Sequence, residues 1–396
     1  MSRRLRVVTV TTSYPRWEGD FAGHFIASLA EELASRGHSL TVIAPHDANA
    51  PEAEHRGGVR VVRPRYLPDR FERVAYGHGM LPNIRENPLR ALALPALAAS
   101  LRRALAVETR EADIVHAHWG PTALLSGVGR SHLPVVVSLH GSEVTLADRS
   151  RPWAALLSRS VRGADAVDVM AESQAAILRV HTHFDGPVEI VPSGVPLALT
   201  TVARPPAATH GTTIAFVGRL VAEKGVDDLV DAFCRVAVAA PGTRLTVVGT
   251  GPREAWARER FTQAGLADRV EFLGALEHDR ALDVIARADL LVLPSHGEGS
   301  PLSVTEALAL GTPVVASDVG ALPELVGDCG IVVVKGDVEG LAAGMERMVR
   351  DPELRAAMGE QARARIAQTH TWPAIAERVE RLYFKAVERH GGKAGS

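Results

Sequence analysis

The chain has 396 residues, enough for two domains of ordinary size, with 46% hydrophobic and 23% charged side chains, the balance of a folded globular protein. It carries 44 basic against 46 acidic groups, and residues 1–195 alone hold 22 arginines against 20 acids. Neither half has the basic excess of a duplex-binding surface, so no nucleic-acid partner is expected. Cys234 and Cys329 are the only cysteines, which cannot make a disulfide framework and fits a reducing, cytoplasmic setting.

The basic amino terminus runs straight into a strand-like segment, without the long apolar stretch and cleavage site of a signal peptide. No window offers about 18 uncharged apolar residues, so no membrane-spanning helix is expected. Peripheral contact with the inner membrane stays open. Lysine is scarce, only Lys224, Lys335, Lys385 and Lys393 against 40 arginines, which draws attention to Lys224.

In chain order, residues 5–12 read as a buried strand, 23–36 as a helix with Phe25, Leu29 and Leu33 on one face, and 39–44 as the next strand after Gly37. Strands follow at 59–63, 113–118, 134–140, 165–170 and 188–191, with helices at 91–107, 121–130, 152–162 and 173–180. Residues 196–211 lose periodicity and gather Pro and Thr, the mark of a linker. The pattern restarts with strands at 212–217, 244–248, 269–273, 289–294, 313–316 and 331–334. Helices alternate with them at 224–239, 253–264, 279–287 and 302–310, then 337–349 and 352–368. A last helix covers about 373–388. Apolar strands separated by helices imply parallel sheets covered on both faces. The expected fold class is therefore α/β: two Rossmann-like, doubly wound parallel-sheet domains facing across a cleft. The N-terminal domain is residues 1–196, joined by helix 373–390 crossing back, and the C-terminal domain is 197–372. Ligands in such folds bind at the carboxyl ends of the strands.

Residues 298–307 (EGSPLSVTEA) follow a strand and open a helix. Gly299 and Pro301 allow a tight turn, and the exposed amides with the helix dipole suit a phosphate or sugar hydroxyl. Glu306 suits the vicinal hydroxyls of a ribose, and Glu298 stands where it can touch a sugar. Plain acidic complementarity at a helix start accounts for the same residues. In 216–225 (FVGRLVAEKG), Arg219 and Lys224 lie five apart across a strand-to-helix loop, suited to the charge of a departing diphosphate. A surface arginine and a helix-start lysine are the bland alternative.

The pair of motifs resembles the large retaining glycosyltransferase family 4, of GT-B fold. SYPRWEGDFAGHFIASLAEELASRGHSLTVIAP, DIVHAHW, LHGSE, PSGV, VVGTGP and THTWPAIAERVERLY match it in family order over nearly the whole chain. By this resemblance Glu298 contacts the donor hexose, Glu306 the ribose, and Arg219 and Lys224 the diphosphate. Ser300 and the backbone of Pro301, Leu302 and Ser303 meet the sugar and its phosphate. His140 lies beside the donor sugar as a catalytic group with Glu298, and His118 is a weaker candidate for the same cleft.

The opening loop 13–23 also borders a helix start, with Gly19 suited to a diphosphate. The family often has paired glycines here, whereas this chain has Asp20, whose charge would repel a phosphate. Asp20 either points away, capping the helix, or the loop faces the acceptor. His116 and His118 share one strand face but find no third ligand at metal spacing. No Asp-x-Asp occurs, so no metal and no other cofactor are expected; the sugar nucleotide is a substrate. Gly249-Thr-Gly251 lacks the third glycine of a dinucleotide fingerprint. Residues 60–73, with Arg60, Arg63, Arg65, Arg70 and Arg73, are a solvated loop or a contact for an anionic membrane or lipid-phosphate acceptor.

The resemblance implies a UDP- or GDP-hexose donor and a sugar, lipid-linked or small-molecule acceptor. A nucleotide-sugar epimerase and a catalytically silent nucleotide-binding protein are the other classes.

Overall fold

A computed structural model describes residues 4–77, 79–203 and 211–394. The chain divides into two compact units: one runs through Pro192 and resumes at Ile375, and the other is Ser193–Ala374.

The first unit holds β1 (Arg6–Val10), α1 (His24–Ser35), β2 (Ser39–Ile43), β3 (Ala53–Arg56), β4 (Val59–Val62), α2 (Met80–Glu86), α3 (Leu94–Glu108), β5 (Ile114–His118), α4 (Gly120–Ser126), β6 (Val135–Ser138), α5 (Ser142–Arg149), α6 (Arg151–Val161), β7 (Ala166–Val169), α7 (Glu172–His181) and β8 (Val188–Ile190). Among the described residues the sheet order is β3-β4-β2-β1-β5-β6-β7-β8. Every pairing is parallel except β3 with β4. β6 and β7 are buried at every position, as strands covered on both faces must be.

The second unit holds β9 (Thr213–Val217), α8 (Val226–Ala239), β10 (Arg244–Val248), α9 (Glu254–Gln263), β11 (Val270–Gly274), α10 (His278–Arg287), β12 (Leu290–Leu293), α11 (Leu302–Ala309), β13 (Val314–Ser317), α12 (Leu322–Val326), β14 (Gly330–Val333), α13 (Val338–Arg350) and α14 (Pro352–Thr369); α15 (Trp372–Ala394) follows. Its sheet, β11-β10-β9-β12-β13-β14, is parallel throughout. Val226, Leu229, Val230, Phe233, Val236 and Ala237 of α8 recur at helical spacing and are buried, the stripe that seats a helix on a sheet.

Several elements escape a reading of periodicity. β3 (AEHR) is a polar edge strand, the kind that alternation does not flag and that resists edge-to-edge pairing. α2, α5 and α12 are five to eight residues long, too short for a hydrophobic period to emerge. The helix expected at 121–130 ends at Ser126, because Gly127 takes a left-handed conformation (φ 73°), and a 3-10 turn follows at Val128–Arg130. The expected linker 196–211 begins with a 3-10 turn at Leu197–Thr201, and its residues 204–210 lie outside the described residues. Val195 is tied into the second unit, its amide donating to His370 and its carbonyl accepting from Trp372.

From Ile375 onward, α15 packs on the first sheet: Ile375, Val379, Leu382 and Tyr383 are buried. Glu380 accepts from Arg36 at 2.5 Å and meets His38 at 2.8 Å.

Candidate active site

In each unit the strand order reverses beside one central strand, between β1 and β5 in the first and between β9 and β12 in the second. Such reversals open crevices at the carboxyl ends of strands, and the expected site residues fall in the loops that follow them.

In the second unit, Lys224 follows β9 and Glu298 follows β12. They meet: the Lys224 Nζ donates to Glu298 Oε1 at 2.5 Å, and the Ser295 hydroxyl donates to the same oxygen at 2.6 Å. The Glu298 side chain is only 7% exposed and Lys224 21%, so the charges answer each other in a largely dry setting. Gly225 makes the approach possible. It sits at φ 65°, and a Cβ there would lie 1.8 Å from the Pro294 carbonyl oxygen at the end of β12. Any larger residue would push the Lys224 loop off that strand end. Arg219, on the same loop, is exposed and forms no ion pair among the described residues.

Pro301 is buried at the start of α11, with Leu302 and Ser303 half-buried in its first turn. The Ser300 hydroxyl accepts from the Ser193 amide at 3.4 Å. Glu306 is 5% exposed, and its Oε1 lies 2.6 Å from His278 Nε2 at the start of α10. That hydrogen bond raises the His278 pKa above its ordinary value, against the opposing effect of burial. Sequence reasoning missed both Ser295 and His278. Ser295 was within reach, three residues before Glu298 at a strand end; His278 is 28 residues from Glu306 and carries no local signal.

In the first unit, the parallel register places His118 opposite Ser138, and Ser138 opposite Asp168. Side chains two apart share a strand face, so His116, His118, Ser138 and Asp168 converge. The Ser138 hydroxyl donates to Asp168 Oδ2 at 2.6 Å and lies 2.6 Å from His116 Nε2, while His116 Nδ1 is 2.9 Å from the Tyr383 hydroxyl on α15. With Asp168 ionised, Ser138 spends its one proton there and accepts from His116 Nε2–H. His116 Nδ1 is then bare and accepts from Tyr383. The His116 ring lies 4.2 Å from that of His118, and His118 Nδ1 is 3.2 Å from His140 Nε2. Burial lowers all three imidazoles, His116 to about 3, His140 to about 4 and His118 well below its usual value, so they are neutral at neutral pH.

His140 is held by its backbone as well. Glu143 Oε1 accepts from the amides of His140 (3.1 Å) and Gly120 (3.4 Å), and the ring packs edge-on against Phe25 at 4.9 Å. Trp119, directly after His118, has φ 74°, the one positive φ of a non-glycine among the described residues. Strain of this kind costs about 1–3 kcal/mol and gathers at functional sites.

Burial also raises Asp168, to about 7. The sign follows: an acid whose pKa is higher folded than unfolded withdraws stability as pH rises from about 4 toward 7. Asp168→Asn is expected to gain thermal midpoint relative to the wild type as pH is raised over that window, measured by unfolding at pH 4 to 8; parallel curves would contradict it.

Two expectations change, the cap by Asp20 and the basic segment 60–73. Asp20 does not cap α1, whose N-cap is Gly23 without a side-chain bond. Its carboxylate instead accepts from Arg16 Nε at 2.7 Å and from the amides of Arg16 and Ala22. Burial would raise its pKa, but the Arg16 bonds prevail and hold it below the usual range. Gly19 is an exposed turn residue at φ 83°. The arginines of 60–73 are not one basic stripe: Arg63 is fully buried against Glu54 and the Pro15 carbonyl, Arg60 pairs with Glu108, and Arg65 with Asp69. Arg70, over the Phe71 ring, and Arg73 remain. His116 is no half metal site, since both its nitrogens are engaged. His46, Asp69 and Glu72 bring ligand atoms within 4.8 Å, but His46 pairs with Glu72, Asp69 with Arg65, and Glu72 also accepts two backbone amides.

Comparison with known proteins agrees across the chain. Residues 22–199 match the model of Glycosyltransferase Family 4, and residues 202–365 that of Glycosyl transferases group 1. A GDP-mannose-dependent monoacylated alpha-(1-6)-phosphatidylinositol monomannoside mannosyltransferase of Corynebacterium glutamicum is 33% identical over 309 residues, 70% of this chain and 78% of that protein. Glycogen synthase of Mycobacterium tuberculosis is 28% identical over 408 residues, 96% and 95% of the two chains. Among solved structures, sucrose-phosphate synthase from Thermosynechococcus elongatus superposes with a TM-score of 0.77 at 23% identity, covering 99% of this chain and 100% of that one. Anabaena HepE in complex with UDP-glucose gives 0.69 at 17%, covering 96% and 99%. The chain belongs to the family 4, group 1 glycosyltransferases and is a glycosyltransferase of GT-B fold.

Proposed function

We propose that this glycosyltransferase takes a hexose from a UDP- or GDP-hexose and passes it, with retention of anomeric configuration, to a hydroxyl of a glycan, glycolipid or small molecule. The observation that carries the reading is the Lys224–Glu298–Ser295 constellation at the strand-order reversal of the second unit. The Lys224 ammonium has three N–H groups and Glu298 takes one, leaving donors for a diphosphate oxygen. Arg219, unpaired on the same loop, adds charge-assisted bonds. Together they stabilise the charge that grows on the leaving diphosphate, the part a divalent ion plays in other transferases, so turnover needs no metal. Glu306 holds the ribose with the carboxylate oxygen that His278 leaves free, and the start of α11 meets the sugar and its phosphate.

In the transfer, the bond from the anomeric carbon to the diphosphate oxygen breaks and the acceptor oxygen bonds the same face of that carbon. The acceptor proton passes to the departing phosphate oxygen. His140, neutral and fixed by His118 and Glu143, polarises and orients rather than attacks. The mannosyltransferase and glycogen synthase names of the relatives and the UDP-glucose of the Anabaena complex support such a donor. The acceptor is recognised by the first unit. There exposed Phe71, Leu89 and Leu92 border Arg70 and Arg73, which suits peripheral contact with an anionic bilayer. Among the described residues no helix is long and apolar enough to cross a membrane.

A panel of UDP-, GDP- and ADP-hexoses, incubated with the protein and a chelator, tests this. Slow release of one nucleoside diphosphate is expected. Interconversion of the sugar would mark an epimerase, and binding without turnover a silent site. Sedimentation with anionic vesicles, weakened in Phe71→Ala/Leu92→Ala, tests the membrane contact; equal sedimentation of the variant would remove it.

A further inference from the structure

A hollow of about 590 Å³ opens on the first unit among α3, α4 and α6, and four of its lining side chains are Arg102, Arg130, Arg159 and Arg162. No carboxylate lines it, and none of the four forms an ion pair among the described residues. Elsewhere in the unit Arg6, Arg16, Arg36, Arg60, Arg63 and Arg65 find acids, and others such as Arg73 and Arg103 form no ion pair among the described residues. What sets Arg102, Arg130, Arg159 and Arg162 apart is that they share one concavity with no acid in its lining.

The backbone brings these arginines together. Gly129 and Gly163 place two arginine-bearing turns in contact: a Cβ on Gly163 would lie 2.4 Å from the Gly129 carbonyl oxygen, and one on Gly129 2.6 Å from that of Arg162. Both turns come just before strands, Val128–Arg130 before β6 and Arg162–Gly163 before β7. The hollow therefore lies at the amino ends of the strands, whereas His118 and His140 are at the carboxyl ends, so its occupant does not share their site. Arginines near helix C-termini complement the helix dipole, which accounts for Arg130, Arg159 and Arg162 one by one, but not for Arg102 in the middle of α3, nor for four sharing one concavity without an acid.

We propose that this hollow binds a small ligand bearing two or more phosphate charges. Its volume is that of a small-molecule site and not of a duplex groove. The planar guanidinium fork grips phosphate oxygens in pairs, and four positive charges match more than one phosphate. The proposal does not rest on the donor assignment above. A free phosphorylated metabolite and a lipid headgroup share this chemistry.

The test uses the full chain. Pyrophosphate binding is measured by calorimetry at low and moderate salt for the wild type, Arg130→Gln/Arg159→Gln and Arg219→Gln/Lys224→Gln, with circular dichroism to check folding. Pyrophosphate can also occupy the proposed donor site, which the second double variant removes. One binding step is expected to weaken about tenfold or more in Arg130→Gln/Arg159→Gln, the loss of charge-assisted hydrogen bonds, and to survive in Arg219→Gln/Lys224→Gln. Arg130→Lys/Arg159→Lys, which keeps the charge and loses the fork, is expected to fall between. In parallel, phosphatidylcholine vesicles containing phosphatidic acid are sedimented with wild type and Arg130→Gln/Arg159→Gln. Loss of vesicle binding in the variant identifies a lipid headgroup as the source, and loss of pyrophosphate binding alone a soluble phosphate. If the variant matches the wild type with both probes, the proposal is overturned.

Discussion

Replacing Lys224 by alanine is expected to lower kcat/KM for donor turnover by about 10²–10³-fold, the cost of losing one preorganised group that stabilises developing charge. The structure gives the loss a second component. Glu298 sits 7% exposed with its Oε1 shared between Lys224 and Ser295. Without the ammonium, an unanswered carboxylate stands where a diphosphate must approach, and a buried charge stripped of its partner is costly. Lys224→Ala/Glu298→Gln removes that excess negative charge. Its loss is therefore expected to be smaller than the two single losses combined, the sign of direct coupling. Steady-state kinetics on the four proteins of the cycle measures this. Full additivity would mean that the contact does not operate in turnover, and an unchanged Lys224→Ala would remove the lysine from the mechanism.

Glu306→Gln is expected to weaken the free nucleoside diphosphate as well as the intact donor, each by about 10–100-fold, the worth of hydrogen bonds to a charged group. The ribose is common to both ligands and the hexose is not; titration calorimetry separates the two, and an effect confined to the intact donor would refute the ribose assignment. The same variant carries a stability signature through His278. Its folded pKa is raised by Glu306, so the stabilisation is complete below the unfolded value of about 6.5 and is lost as pH rises through the higher folded value. The gap in thermal midpoint between wild type and Glu306→Gln should narrow as the pH is raised, with the His278 ring resonances titrating at lower pH in the variant.

Much of this was open to inspection in the linear chain. Strands as short apolar runs, helices with stripes such as that of α8, and glycines where loops turn are all local: they depend on side-chain spacing of 2 or 3.6 residues and on which backbone conformations a residue tolerates. Local pattern therefore determined the two α/β halves and put Arg219, Lys224, Glu298 and Glu306 in loops after strands or at a helix start. It failed where elements are too short or too polar to show a period, as in β3, α2, α5 and α12.

What the side chains do to one another was decided by tertiary structure alone. Lys224 reaches Glu298 across 74 positions because β9 pairs with β12, and His116 meets Tyr383 across 267 because α15 lies on the first sheet. Asp20 is neutralised by Arg16 and Arg63 is buried against Glu54, so a charge's meaning came from its neighbour rather than from its letter. The physical reason is that strand order and sheet register set which distant residues become adjacent, and a parallel crossover leaves no local trace of its partner in the sequence.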